Sequence, residues 1–198
     1  MRMLSSVGAL ALVIALTACS SQQEPAQAAL KTAQDAFSAV SAEAQKYVPD
    51  QARTVQASLT AAQDAFTKGD YAAALTQAQA LPAQITALGS AISAKKAELT
   101  TAWTGMAAGV PKLMDALKSR VDVLSKSKAL PKGITKETFD GAKSGLASAT
   151  QTWSDAMTAA GSGDMASAVT KGNDVKSQLV AIMRSLNMQV PAGVGGTA

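Results

Sequence analysis

Histidine is absent from this 198-residue chain, and cysteine occurs once. The first absence removes the side chain most often used as a general base and as a transition-metal ligand. The second rules out an internal disulfide and any zinc site built on several cysteines. Aromatic residues are few: two Trp, two Tyr and three Phe. Apolar residues nevertheless make up 47% of the chain, so a core must rest on alanine with some Leu, Val, Ile and Met. Strands select β-branched and aromatic side chains and fit this mixture poorly. Closely packed helices fit it well, because alanine combines the highest helix propensity with a small side chain.

Catalytic patterns are equally scarce. There is no Ser-centred elbow, no phosphate-binding loop and no Glu-x-x-His pair. The carboxylates Asp35, Glu43, Asp64, Glu98, Asp140 and Asp155 are scattered and nominate no acid–base pair. The methionines Met106, Met114, Met157, Met165, Met183 and Met188 form no thioether cluster and suit gap-filling in a core. These features argue against an enzyme, and no cofactor or metal is expected.

Long apolar runs are also missing, with one exception near the start. From Val7 to Leu16 the chain is largely apolar, too short for the roughly 20 residues that span a bilayer. Arg2 precedes it and small residues follow, which is the pattern of an export signal. The run ends Leu16-Thr17-Ala18-Cys19. This stretch resembles the lipobox of bacterial lipoproteins. The resemblance covers the first nineteen residues and implies three steps: diacylglycerol on the Cys19 thiol, cleavage before Cys19, and acylation of the new amine. It also implies a location. Ser20 follows the cysteine where Asp would retain a Gram-negative lipoprotein at the inner membrane, so the expected site is the outer membrane, facing the periplasm. Residues 1–18 are then a signal peptide and 19–23 a lipidated tether, and export excludes nucleic acid as a partner.

Beyond the tether, apolar residues recur at alternating steps of three and four. One such stripe is Leu30, Ala33, Phe37, Val40, Ala44 and Tyr47; another is Phe139, Ala142, Leu146, Ala149, Trp153 and Ala156. That spacing predicts an all-α fold, an antiparallel bundle of five or six helices over residues 24–188, with a disordered tail over 189–198. Ser21 and Glu24 suggest a capping box at the first helix, and Pro49-Asp50 a break followed by a cap. Between Tyr71 and Leu124 the stripe persists across Pro82, Gly89, Gly105, Gly109 and Pro111. A helix-interior Pro costs about 3 kcal/mol, so a kink is expected near Pro82 and a break near Gly109-Val110-Pro111.

Gly69-Asp70-Tyr71-Ala72-Ala73-Ala74-Leu75-Thr76 aligns without gaps on Gly163-Asp164-Met165-Ala166-Ser167-Ala168-Val169-Thr170. Each half reads helix, loop, helix, Gly-Asp turn, helix, as a duplicated three-helix unit would. Residues 65–75 also resemble the turn of a tetratricopeptide hairpin, without the 34-residue period of such arrays.

Charge is uneven. Net charge is +4 overall, but residues 20–89 carry −2 and residues 90–198 carry +5. Lys112, Lys118, Arg120, Lys126, Lys128, Lys132 and Lys136 form a candidate contact for an anionic envelope surface or polymer. Trp103 and Trp153 lie on apolar stripes and read as core, with a ligand cleft as the alternative. The function expected is a lipid-anchored envelope protein with a scaffolding or adaptor role, held at the membrane through Cys19 and bound to envelope proteins or anionic polymers. The alternative is a periplasmic binding module for a small apolar or anionic ligand.

Overall fold

An apolar stripe at helical spacing must find another apolar surface to bury against. The computed structural model describes residues 22–192, so Cys19, its signal segment, Ser21 and residues 193–198 lie outside it. The described residues form an all-α protein of five helices: α1 (Gln23–Tyr47), α2 (Pro49–Thr67), α3 (Tyr71–Ser125), α4 (Lys136–Gly161) and α5 (Met165–Ser185). None of these helices is long and apolar enough to cross a membrane.

The chain divides into two compact units, one ending at Lys95 and the other starting at Lys96. The first comprises α1, α2 and the first part of α3; the second comprises the rest of α3, α4 and α5. In the first unit the stripes meet around Phe37, Leu59, Leu81, Leu88 and Ile92, with alanines between them. In the second they meet around Leu117, Leu146, Trp153, Leu179 and Leu186.

α3 departs from expectation. It continues through both Pro82 and Pro111 without a break. Packing explains why. Leu81, Ile85 and Leu88 are buried around the first proline, and Val110, Leu113 and Leu117 around the second. Each such side chain contributes about 1.5–3 kcal/mol on burial, so three of them outweigh one proline penalty of about 3 kcal/mol.

Gln22 is the N-cap of α1 and makes no side-chain cap bond, and the capping box expected between Ser21 and Glu24 lies outside the described residues. The start of α2 also differs from expectation. α2 is capped by neither Pro49 nor Asp50. Pro49 occupies its first turn, where a missing N–H costs nothing, and Asp50 pairs with Arg53. The break falls on Val48, which the following proline holds outside the helical region (φ −142°, ψ 57°).

The Gly-Asp turns are near copies of each other. Gly69 (φ +82°) and Gly163 (φ +80°) take the left-handed conformation that ends a helix. In the first turn the Gly69 N–H donates to Phe66 O and the Asp70 N–H to Ala65 O; in the second, Gly163 N–H to Ala160 O and Asp164 N–H to Ala159 O. Each aspartate then caps the next helix: Asp70 Oδ1 accepts from Ala73 N, and Asp164 Oδ1 from Ser167 N, both at 3.1 Å. α5 ends with the same bond pattern, where Asn187 (φ +55°) stands in for glycine. The tail beyond it is not wholly detached, because Met188 and Val190 pack against the core of the second unit.

Candidate functional site

In the second unit α3 and α5 run parallel in one register. A Cβ at Gly172 would lie 2.6 Å from Met106 Sδ, and Arg120 Nη2 donates to Leu186 O at 3.3 Å; both pairs carry the same 66-residue offset. That register places each group described below.

The sequence-predicted cations do not act as one patch. Arg120 is withdrawn from it: its guanidinium is part-buried at the C-terminal end of α5, where a cation offsets the helix dipole, and its Nε has no partner. Lys118, Lys126 and Lys136 pair with Asp115 (3.8 Å), Asp122 (2.7 Å) and Asp140 (2.7 Å). Lys112 is exposed, but it sits about 21 Å along α3 from Lys126 at 1.5 Å per residue. Lys126, Lys128 and Lys132 lie on the loop that joins α3 to α4, and Lys136 is the first residue of α4.

That loop is held in place. Ile134 is buried in the core, and its N–H donates to Pro131 O across a turn whose third residue is Gly133 (φ +88°). Asn187 Nδ2 reaches Lys132 O at 3.5 Å. Lys128 and Lys132 therefore project from an ordered segment, exposed and without an ion pair among the described residues. At the start of α4, Thr135 caps the helix by accepting from Thr138 N. The carboxyl of Asp140 is held below the usual range by its bond to Lys136, whose own ammonium is raised in return. Glu137 is lowered by its own backbone N–H and the Thr135 hydroxyl.

Between α3 and α5 lies an open cleft of about 510 Å³. Leu99, Ala102, Met106, Val110 and Leu113 of α3 and Val169 of α5 supply its apolar surface. Gly105 and Gly109 form a floor: a Cβ at either would meet no atom within 4 Å. The polar lining is Glu98 from α3 with Asn173 and Lys176 from α5. Glu98 is engaged within the chain, whereas half-buried Lys176 has no ion pair among the described residues.

The tryptophans do not line this cleft. Trp103 and Trp153 stack on each other, with centroids 5.1 Å apart and planes 23° from parallel. Trp153 is buried in the core and Trp103 packs against it. Both rings approach Gly172, where a Cβ would sit 3.7 and 3.8 Å from their Cζ3 atoms. Trp153 also borders a smaller groove of about 290 Å³ with Pro111 and Met114.

The cleft was not anticipated from the sequence, where Gly105 and Gly109 read only as interruptions of a helix. Their four-residue spacing puts both on one face, and that is the signal that marks a groove floor. Among the described residues no group of three or more His, Cys, Asp or Glu could hold a metal ion. No family model, curated protein or solved structure matches this chain.

Proposed function

We propose that the chain is a lipid-anchored envelope protein with a non-enzymatic adaptor role. Cys19 tethers it to a membrane, the outer membrane facing the periplasm, and the cationic end of its second unit engages an anionic envelope surface or polymer. The observation that carries this reading is the pinned loop presenting Lys128 and Lys132, with Lys126 and Lys136 beside it. The two neighbouring ion pairs are exposed, and such pairs are worth at most about 1 kcal/mol, so an anionic surface can compete for their lysines. The tether rests on the lipobox-like Leu16-Thr17-Ala18-Cys19.

Intact mass of the membrane fraction tests the tether. A chain starting at Cys19 and carrying acyl groups is expected, and Cys19→Ala releases the protein from the membrane. A wild-type product that starts at Met1 with a free thiol would refute the compartment. Whole-cell crosslinking from positions 128 and 132 tests the adaptor role, with an envelope component expected as the captured species.

The cleft supports a second reading, a binding module for a small apolar or anionic ligand. Its volume lies within the roughly 300–1,000 Å³ range of ligand clefts.

A further inference from the structure

We propose that the α3–α5 cleft binds one single-chain fatty acid, with the carboxylate at Lys176 and Asn173 and the acyl chain along the glycine floor. This inference rests on the binding-module reading and names the ligand class for it.

Shape comes first. The cleft follows α3 from Leu99 to Leu113, and its floor is open at Gly105 and Gly109. In the 66-residue register Lys176 stands level with Val110. From that level back to Leu99 is about 17 Å of helix at 1.5 Å per residue. An acyl chain that fills one leaflet of a roughly 30 Å hydrocarbon core reaches about 15 Å. The groove and the chain therefore match in length, and a single narrow chain suits a floor with no side chains.

Charge settles the head group. Lys176 is half-buried at the cleft and has no ion pair among the described residues, while Glu98 is already engaged. Asn173, one turn before Lys176 on the same face of α5, adds an amide N–H donor. One cation and one amide suit a single carboxylate.

The test is calorimetric titration of the full chain carrying Cys19→Ala, with hexadecanoate below its micelle-forming concentration, and hexadecanol and a lysophospholipid in parallel. Saturable one-to-one binding of hexadecanoate is expected. Gly109→Leu fills open space and should lower affinity at least tenfold while circular dichroism and the melting temperature hold. Lys176→Gln should lower hexadecanoate affinity at least tenfold and leave hexadecanol unchanged. Absence of saturable binding, or full affinity in Gly109→Leu, overturns the cleft as a binding site and the binding-module reading with it. Equal losses for acid and alcohol in Lys176→Gln, or tighter binding of the lysophospholipid, overturn only the fatty-acid assignment. None of these outcomes bears on the anchor at Cys19, which the mass measurement decides separately.

Discussion

Gly172 shows how much one missing side chain decides. Glycine inside a helix costs about 1 kcal/mol relative to alanine, yet here it lets α5 approach the stacked pair Trp103 and Trp153. Gly172→Leu should destabilise the protein by about 1–3 kcal/mol through overpacking, read as a lower urea midpoint and a changed near-ultraviolet tryptophan signal. The capping aspartates act at the same scale. Asp70→Ala and Asp164→Ala should each cost about 1 kcal/mol. The second should cost more, because Asp164 Oδ2 also accepts from the Ser167 hydroxyl at 2.9 Å.

For the helices, local rules and tertiary packing pull in different directions. Pro82 is exposed within α3 and removes a backbone hydrogen bond there. Pro82→Ala should therefore stabilise the protein by about 1–3 kcal/mol, with a measurable rise in melting temperature. The first turn of α4 supplies a pH response. Asp140 and Glu137 have carboxyls lowered in the folded chain, so their contribution is present above the ordinary carboxylate range and is lost as pH falls below it through their lowered values. Lys136 is raised, so its contribution holds below its ordinary value and is lost only at strongly alkaline pH. Protection of the Thr138 to Asp140 amides, relative to their intrinsic exchange rate at each pH, should fall on acidification, and Asp140→Asn should remove part of that response while leaving the part due to Glu137.

For the chain as a whole, the contrast in charge between its two parts matters more than the net charge. The excess of cations falls in residues 90–198, and two of those without an ion pair among the described residues, Lys128 and Lys132, lie on the 126–135 loop. Binding to vesicles containing anionic phospholipid should weaken about fivefold for each of Lys128→Gln and Lys132→Gln, following about 1 kcal/mol per cation, and should fade with salt. Lys112→Gln should change it little, because that residue stands along α3 away from the loop. Equal effects at all three positions would show that diffuse charge, not the loop, drives the contact.

The all-α class, the stripes and the paired Gly-Asp turns were legible in the sequence, because each depends on spacing within a few residues. Phe37, Leu59, Leu146 and Leu179 are buried where helical periodicity puts them. Only the tertiary structure decided the rest. It kept α3 whole through two prolines, since burial of distant side chains outweighs a local penalty. It turned Arg120 from a surface cation into a partner of the α5 terminus 66 residues away. It also set Gly105 and Gly109 opposite Val169 and Lys176, making a cleft out of what reads locally as helix weakness. The division follows from range: periodicity and capping act along the chain, whereas burial, charge pairing and cavities arise between segments that only folding brings together.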